Sequence, residues 1–414
     1  MANRKLGLTG WILIGLGAGI VVGLIQYLLF PENVNTVIIK WVHDPIGRIF
    51  LNGIRLLVVP LVLVSLSLGT AAIGDLNKLG RIGGKTMGIY LATTAIAISI
   101  GFALAFLVRP GTGLSIPVDA DFGGGQSPFL MDIIVDFVPV NPFAAMVEGK
   151  MLQIIFVAIM AGLAIAALGK KAVPLVRVLE SADLIIHQMV KFIMMFAPIG
   201  VFGLMAKVIA GEGLAVFLPL LKYMATVVGA LLIQGFIVYP LFLTILGRLN
   251  PLHFYRNVYP AMIVAFSTSS SNATLPVTMN VARTRLGTKE SVHSFTLPLG
   301  ATVNMDGTAI MQGVATVFIA GVYGIDLTAG DFFRVVMMAT LASIGTAGVP
   351  GVGLIMLSMV LTEIGLPIEG IGIILGVDRL LDMTRTMVNI VGDMMTTTVV
   401  AKSENEFDEE IYKA

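Results

Sequence analysis

The sequence predicts an all-α polytopic membrane protein with eight transmembrane helices and two re-entrant helical hairpins. The first observation is composition: 57% of the 414 residues are hydrophobic, 12% are charged and the mean hydropathy is +0.94, whereas soluble domains are about 25% charged. The second is the number of apolar runs, which suffices for about eight spans of roughly 20 residues. The third is a pair of interrupted apolar segments, each flanked by loops of matching charge.

Regular spans fill the first half of the chain. The apolar runs predict six of them, at about 8–30, 43–73, 82–108, 128–168 (broken), 180–209 and 216–247. The first run continues to Phe30 without a small-residue cleavage site, so it is expected to be a span and not a signal peptide. The segments 290–322 and 376–393 supply the two remaining spans.

Charge in the connecting loops predicts the orientation. Lys5, the stretch 77–85 and the stretch 170–177 are basic, and they alternate with loops that lack Lys and Arg. Cytoplasmic loops carry the excess of basic residues. The N-terminus and C-terminus are therefore predicted to be cytoplasmic, in a multi-pass protein of the plasma membrane.

The segments 258–280 and 332–360 are predicted to enter and leave the membrane on one side. Basic residues flank 258–280 at both ends, whereas loops poor in Lys and Arg flank 332–360. Their polar tips, 267–272 and 343–351, would lie at membrane depth, where irregular backbone is tolerated only if it is buried in protein or lines a cavity. Two hairpins from opposite faces, each followed by a long helix, form an inverted repeat typical of secondary transporters.

The last span carries a polar stripe. Its members are spaced 4, 3, 4 and 4 residues apart and are Asp378, Asp382, Arg385, Asn389 and Asp393. At roughly 100° per residue they fall within about 80° of one helix face. A charge at the bilayer centre costs on the order of 3 kcal/mol or more, so the stripe is predicted to bind a charged ligand. A structural ion pair between Asp382 and Arg385 is the alternative.

Three further segments combine polar or flexible residues with apolar flanks. Ser269–Asn272 offers hydroxyls and N–H groups near helix ends, which attract anions, unless it is a solvated loop. Asn304–Thr308 interrupts an apolar helix, so that freed carbonyls and Asp306 would form an oxygen cage suited to Na⁺; a kink without an ion is the alternative. The glycines around Pro350 fit a flexible gate or a tightly packed helix crossing.

Several functions are disfavoured. The chain has no cysteine and only four scattered histidines, so a transition-metal site is not expected. No phosphate-cradling loop occurs, which disfavours ATP-driven pumping. No nucleophile–base arrangement suggests an enzyme, and no basic cluster suggests a nucleic-acid partner.

Together these segments resemble the dicarboxylate/amino acid:cation symporter family, which includes archaeal sodium–aspartate and mammalian glutamate transporters. The resemblance covers nearly the whole chain and rests on Ser269–Ser271, Asn304–Thr308, Gly348–Gly351 and the stripe from Asp382 to Asp393. It implies a homotrimer in the lipid bilayer, each protomer having a scaffold and a transport domain that slides as an elevator. The implied division is scaffold 1–76, transport domain 77–110, scaffold 111–210, transport domain 211–403 and cytoplasmic tail 404–414.

The resemblance also implies roles in substrate binding. Arg385, helped by Thr308, would pair with the side-chain carboxylate of the substrate, and Asp382 would hold its ammonium group. Arginine offers a planar fork to a carboxylate. Asn389 and the backbone amides at the first hairpin tip would bind the α-carboxylate of the substrate. A lid would cover the bound substrate. The implied set is Ser270, Ser271, Thr308, Val349, Gly353, Asp382, Arg385, Thr386 and Asn389, with Val349 and Gly353 in the lid.

Sodium is the implied coupling ion, with three groups of ligands. The first is Gly300, Asn304, Asn389 and Asp393. The second, mostly through carbonyls, is Thr302, Met305, Ser343, Ile344 and Thr346. The third is Tyr90, Thr93, Thr94, Asn304 and Asp306. Proton-coupled relatives tend to replace the aspartate at position 393 with Asn and to alter the 304–308 run, and neither change is present here.

Three positions depart from the family patterns. Ser269 stands where archaeal members have an arginine, and Met383 where mammalian members have one, so this chain lacks a second arginine. Gln312 stands where mammalian members have a glutamate tied to proton and potassium coupling, which is therefore not expected. The Ser-rich tip and the run Asp378–Asp382 resemble bacterial proton-type sequences more closely.

The sequence thus predicts a sodium-coupled symporter for acidic amino acids, L-aspartate first and then L-glutamate. A proton-coupled glutamate/aspartate symporter and a C4-dicarboxylate symporter are the alternatives. Asp382 argues against the dicarboxylate carrier, and Arg385 against a neutral amino acid exchanger. From a different class, an anion channel would need a continuous wet pore, which occluding hairpins disfavour.

Overall fold

The computed structural model describes residues 8–73, 76–114, 135–343 and 351–413, and these form an all-helical protein. In these ranges the one β-type pairing is an isolated bridge between Thr288 and Phe407. The predicted all-α class is confirmed. Six helical runs are long and apolar enough to cross a membrane: Gly10–Leu29, Glu32–Ala71, Gly80–Val108, Met151–Met195, Ala197–Ile245 and Glu290–Tyr323.

The first half supplies ten helices of the described chain. They are α1 (Leu8–Leu29), α2 (Glu32–Ile38), α3 (Asp44–Ile73), α4 (Leu76–Val108), α5 (Pro142–Glu148), α6 (Met151–Leu168), α7 (Val173–Met195), α8 (Ala197–Glu212), α9 (Phe217–Ile233) and α10 (Tyr239–Ile245). A π-helical turn at Ile39–His43 joins α2 to α3, so the second apolar run begins earlier than the sequence predicts.

The predicted span at 180–209 contains two helices in the structure. Helix α7 ends at Met195 and α8 begins at Ala197, with Pro198 in its first turn. Proline lacks an N–H and its ring collides with the preceding turn, so it starts a new helix better than it continues an old one. The predicted break within 128–168 is found at Gly149, which has a left-handed φ of 68°.

Glycines bring α1 close to α8. Gly15, Gly19 and Gly23 recur every fourth residue on one face of α1. A methyl group on Gly19 would lie 2.7 Å from the carbonyl oxygen of Phe202. Such small-residue stripes let two membrane helices pack backbone to backbone. Helix α3 packs on α6, α7 and α8, which makes these five helices one packed unit.

The second half contains both hairpins and the polar helices. Its elements are α11 (Pro251–Thr268), α12 (Ser271–Thr284), α13 (Glu290–Val303), α14 (Asp306–Tyr323), α15 (Ala329–Ser343), α16 (Val352–Glu363), α17 (Ile371–Ser403) and α18 (Glu409–Lys413). The first hairpin, α11 with α12, reverses at Ser269 and Ser270. The second hairpin is α15 with α16, and its tip at 344–350 lies outside the described residues.

The second hairpin is fixed to the first half of the chain. Helix α16 packs on α3 and α6, and every residue from Leu354 to Leu361 is buried. At the end of α16, Glu363 Oε2 accepts a hydrogen bond of 2.8 Å from the backbone N–H of Met151 at the start of α6. Arg55 on α3 forms a 3.0 Å ion pair with Glu369 just before α17.

Candidate functional site

The polar stripe of α17 is enclosed by protein. Helix α17 packs against α11, α12, α13 and α14, and α14 is buried along nearly its whole length. Between α13 and α14 the helix opens at Asn304 (φ −94°, ψ 82°) and Met305 (φ −108°, ψ 48°). The predicted interruption of this apolar helix is therefore present, and it lies against the stripe.

Arg385 occupies the centre of an ionic cluster on α17. Its side chain is 1% exposed, and its Nη2 lies 2.9 Å from an oxygen of both Asp378 and Asp382. The Asp382 contact is a hydrogen bond, whereas the Asp378 contact is an ion pair without hydrogen-bond geometry. Arg379 lies 3.4 Å from the other oxygen of Asp382. The simple Asp382–Arg385 pair is thus present, but as part of a larger cluster.

The guanidinium of Arg385 has unused donors. Its Nε and Nη1 find no hydrogen-bond partner among the described residues, and a buried donor left unpaired is costly. A methyl group on Gly353 would lie 3.5 Å from Nη1, so this side of the guanidinium faces the start of α16. The arrangement can accept a further carboxylate at low cost, because donors for it are already in place.

Asn389 joins the stripe to the break in the neighbouring helix. Its Oδ1 accepts a 2.7 Å hydrogen bond from the N–H of Gly307, and its Nδ2 lies 3.3 Å from the sulfur of Met305. A side chain on Gly307 could not fit, because a methyl group would lie 2.7 Å from the carbonyl oxygen of Arg385. Thr308 and Thr386 are buried beside this contact.

The tip of the first hairpin reaches the same region. Ser269 adopts a left-handed φ of 50°, and the Ser270 hydroxyl accepts a hydrogen bond from the N–H of Ala273, which caps α12. The first hairpin tip and the start of α16 border one cavity of about 570 Å³, whose walls include Ser270, Gly351, Asp378, Asp382, Phe50 and Lys191. The other predicted lid residue, Val349, lies outside the described residues.

A second polar cluster lies deeper, around Asp306. Its Oδ1 accepts a 2.7 Å hydrogen bond from Thr94 and a longer one of 3.4 Å from Thr93. Its Oδ2 accepts hydrogen bonds of 3.0 Å from Gln234 and 2.9 Å from Tyr239. No basic side chain forms an ion pair with this carboxylate within the part of the chain that the structure describes, although it is fully buried.

Asn304 connects Asp306 to Asp393. The Oδ1 of Asn304 lies 3.3 Å from Thr93, and its Nδ2 donates a 3.0 Å hydrogen bond to Asp393. Gly300 passes so close to Asp393 that a methyl group there would lie 2.6 Å from Oδ1. Asp393 too has no ion pair among the described residues. The structure therefore brings the first and third predicted ligand groups together, with Tyr90 beside Gly300.

The second predicted ligand group is not joined by hydrogen bonds. The Thr302 hydroxyl donates to Leu299 O at 3.0 Å, and the Ser343 hydroxyl donates to Thr340 O at 2.7 Å, each within its own helix. Ile344 and Thr346, the other two members of this group from the second hairpin, lie outside the described residues.

Sequence reasoning missed two donors to Asp306. Gln234 and Tyr239 come from the sixth predicted span and flank a π-helical turn at Gln234–Val238. Such turns often mark functional positions. An amide side chain in an otherwise apolar span was the available signal, because a buried Gln needs a polar partner.

Comparison with known proteins gives a consistent result. The sequence profile of the sodium:dicarboxylate symporter family matches residues 8–403. A "Proton/sodium-glutamate symport protein" of Geobacillus stearothermophilus is 36% identical over 98% of this chain and 97% of its own length. A "Proton/glutamate-aspartate symporter" of Escherichia coli K12 is 35% identical over 99% and 95%. A "C4-dicarboxylate transport protein" of Bacillus subtilis 168 is 32% identical over 94% and 93%.

Proposed function

This chain belongs to the sodium:dicarboxylate symporter family, and we propose that it couples the entry of Na⁺ to the uptake of acidic amino acids, L-aspartate first. Membership makes it a membrane transporter and not an enzyme. The proposal for ion and substrate rests on the two polar clusters around Arg385 and Asp306.

The observation that carries the proposal is the incompletely bonded Arg385. A buried guanidinium with two free donors, held by carboxylates on its other side, suits a ligand that brings a carboxylate. The same ligand would draw Arg385 away from Oδ1 of Asp382, while Oδ2 keeps its 3.4 Å contact with Arg379; one carboxylate oxygen of Asp382 is then available to a further cation. An acidic amino acid satisfies both groups, since its ammonium reaches Asp382 while its side-chain carboxylate reaches Arg385.

Sodium is the proposed coupling ion because the hydrogen-bond partners of Asp306 and Asp393 among the described residues are all neutral. Oxygens beside Asp306 come from Thr93 and Thr94, and the Oδ1 of Asn304 lies 3.3 Å from the Thr93 hydroxyl, next to the helix break. Hard oxygen ligands suit small alkali and alkaline-earth cations. A monovalent cation would offset much of the cost of keeping these carboxylates buried and ionised.

Asn389 provides a physical link between ion and substrate. It bonds Gly307 at the helix break, and it lies one turn from Arg385 on α17. An ion that fixes the break also fixes Asn389, so ion and substrate would each strengthen the binding of the other by the same factor. The lid at Gly348–Gly351 would close only when both are bound, which prevents an ion leak.

The elevator mechanism, the homotrimer, the domain boundaries and the cytoplasmic termini belong to the same proposal. One observation supports a sliding transport domain: the 570 Å³ cavity lies between residues of α1, α3, α7 and α8 on one side and Ser270, Gly351 and α17 on the other, beside the contacts of α17 with α8. A cavity along such a boundary leaves room for one unit to move against the other.

Uptake of radiolabelled aspartate into proteoliposomes tests the proposal. Sodium and proton gradients are imposed separately, with potassium or choline replacing sodium in the control. We expect accumulation with the sodium gradient alone. A proton-coupled symporter is the second candidate, favoured by the printed name of the Escherichia coli relative. Accumulation that follows the proton gradient and ignores sodium would establish that candidate instead, and a steady conductance without accumulation would indicate a channel.

A further inference from the structure

Each carboxylate oxygen of Asp382 has its own arginine. Arg385 Nη2 donates a hydrogen bond of 2.9 Å to Oδ1, and Arg379 Nη1 donates a longer one of 3.4 Å to Oδ2. The side chain of Arg385 is 1% exposed, whereas that of Arg379 is 18% exposed and lines the 570 Å³ cavity together with Asp382. The two oxygens are therefore neutralised separately, one from the protein interior and one from the side of the cavity.

The four charges at this end of the polar stripe are balanced. Asp378, whose Oδ1 lies 2.9 Å from the same Nη2 of Arg385, supplies the second negative charge, so two aspartates are matched by two arginines. A ligand that brings a carboxylate to Arg385 disturbs this balance. If the ligand also carries an ammonium group, that group can neutralise Asp382. If it carries none, Asp382 depends on the cation that remains beside it, which is Arg379.

We propose that Arg379 sets how strongly the site prefers an acidic amino acid over a plain dicarboxylate, an inference that rests on the proposed function. Succinate has both carboxylates of aspartate but no ammonium group. When it draws Arg385 away from Oδ1 of Asp382, Arg379 still holds Oδ2, so that no unmatched carboxylate is left buried. Arg379 thereby lowers the penalty for binding succinate and narrows the selectivity for aspartate.

The ligand and Arg379 use different groups of the site. The Nε and Nη1 of Arg385 are its donors without a hydrogen-bond partner among the described residues, and Nη1 faces Gly353 at the start of α16. A ligand carboxylate that binds these donors engages Arg385, whereas Arg379 contacts Oδ2 of Asp382 from one turn earlier on α17. The contact of Arg379 can therefore persist in the liganded site.

Two other roles for Arg379 predict different behaviour. If Arg379 binds a ligand carboxylate directly, aspartate and succinate depend on it equally, because each carries two carboxylates. If its contact with Asp382 is an ordinary, partly exposed ion pair, which contributes little, neither ligand depends on it. The proposed role differs from both, because it makes succinate depend on Arg379 more than aspartate does.

The thermal unfolding midpoint of the purified full-length protein, at saturating sodium, measures the binding of both ligands. Titration with L-aspartate and with succinate gives an apparent affinity for each. In Arg379→Gln we expect the affinity for succinate to fall roughly tenfold, between the effects of exposed and of buried ion pairs. The affinity for aspartate should change by less than about threefold, because its ammonium group replaces the lost cation. Arg379→Lys keeps the charge and should retain most of the affinity for succinate.

Arg334→Gln is the matched control. Arg334 and Asp331 are three residues apart, like Arg379 and Asp382, and the exposed fractions of the two pairs are similar, 15% and 16% against 18% and 14%. Arg334 lines a different cavity, of about 380 Å³, so both affinities should equal those of the parent. In an Asp382→Asn background, Arg379→Gln should have little further effect on succinate, because the carboxylate that Arg379 neutralises is gone.

Several results would overturn the assignment. Equal losses for both ligands in Arg379→Gln would indicate direct substrate binding, and no loss for succinate would indicate an ordinary ion pair. A loss for succinate that is matched in Arg334→Gln, or that persists in the Asp382→Asn background, would indicate a general effect of charge on a doubly negative ligand. If Arg379→Gln lowers the midpoint without ligand, the ratio of the two affinities and the Arg379→Lys variant still decide.

The parent protein separates this inference from the proposed function. A parent that responds to aspartate but not to succinate would overturn the role of Arg379 and leave the proposed function intact. A parent that responds to neither ligand would overturn the proposed function, and the inference with it.

Discussion

The two hairpins have the same construction but opposite surroundings. In the first, the outer face of α11 is exposed along its length, whereas in the second α16 is buried against α3 and α6. The second is also held by Glu363 and by the Arg55–Glu369 pair near the start of α17. The two hairpins therefore differ in burial, and the packing of the second half against the first decides which hairpin is covered.

The largest expected effect is at Arg385, between the first hairpin tip and the start of α16. Arg385→Ala removes the guanidinium that faces Gly353 of the second hairpin and pairs with Asp382 beside Ser270 of the first. A substrate carboxylate would then be buried without a partner, and we expect aspartate affinity to fall by about 3 kcal/mol, or roughly 100-fold. Isothermal titration at saturating sodium measures this. Arg385→Lys is the charge-conserving control, and unchanged affinity in Arg385→Ala would contradict the assignment.

The next prediction compares a carboxylate of the proposed cation site, Asp393, with a carboxylate of the second hairpin, Asp331. Asp393→Asn should reduce the slope of log aspartate affinity against log sodium concentration by about one, since one ion loses its carboxylate. Asp331→Asn is the control, because Asp331 is a carboxylate of the second hairpin whose hydrogen-bond and ion-pair partners, Thr328 and Arg334, both lie near the start of α15 and outside the Asp306–Asp393 cluster. Titration across a sodium series measures both slopes. Equal slopes for Asp393→Asn and the parent would show that Asp393 has a structural role.

Labelling compares the hairpins directly. The chain has no cysteine, so Ile263→Cys and Leu357→Cys each provide a single reactive thiol. An apolar maleimide should modify position 263 at least roughly tenfold faster in detergent, because a buried thiol reacts only through local opening. After addition of sodium and aspartate, slower labelling at 263 together with faster labelling at 357 would indicate that the first hairpin becomes covered and the second becomes exposed. Equal rates at both positions without ligand would contradict the asymmetry.

A smaller change in labelling rate should follow when the contact between Glu363 of the second hairpin and the N-terminus of α6 is weakened. Glu363→Gln removes the negative charge from the N-terminus of α6, an interaction that typically contributes about 0.3–1 kcal/mol. In the Leu357→Cys background we therefore expect labelling to accelerate about two- to fivefold. Glu369→Gln is the matched control, since its pair with Arg55 is partly exposed and should contribute less. No acceleration in Glu363→Gln would mean that apolar packing alone holds α16.

The smallest expected effect concerns the tail that holds the base of the first hairpin. Tyr412 donates a hydrogen bond of 2.8 Å to Asn250 O and accepts one of 2.8 Å from Asn257. Within the tail, hydrogen bonds from Lys402 and then Lys413 lower the pKa of Glu409 from 4.5 to about 2. Because the folded-state pKa is the lower one, this stabilisation is present above about pH 4.5 and is lost as the pH falls toward 2.

Hydrogen exchange of residues 404–413, corrected for the intrinsic pH dependence, measures that loss. Protection should decrease slightly between pH 5 and pH 3 in the parent. Glu409→Gln should show a weaker pH dependence, because it lacks the titrating group. An identical decrease in both proteins would assign the effect to Glu404, whose pKa is lowered by Lys85 and then Arg81.

Local signals predicted the hairpins, the helix break and the polar stripe. The charge of the loops that flank a segment and the helical spacing of its residues depend only on residues close together in the sequence. The partners of those groups were harder to predict. Asp378 lies on the same face as Arg385, yet only the packed helix shows that it shares Nη2 with Asp382. Gln234 and Tyr239 reach Asp306 from a distant, apolar span, and no local pattern specifies such a contact. The break at Phe196 lies inside the predicted span 180–209, and Pro198 in the first turn of α8 was a signal for it that sequence reasoning did not use.

The density of charge on α17 has a consequence for biosynthesis. Helix α17 is the predicted eighth span, but it is not one of the six runs of the described chain that are apolar enough to cross a membrane. Each Asp or Arg at a helix centre costs about 2.5–3.5 kcal/mol in translocon-mediated insertion. Insertion of this helix into the bilayer on its own would therefore be unfavourable. It leaves the ribosome after both hairpins and the broken helix, whose residues are its partners in the folded protein. The order of segments along the chain therefore makes the partners of the charged stripe before the stripe itself.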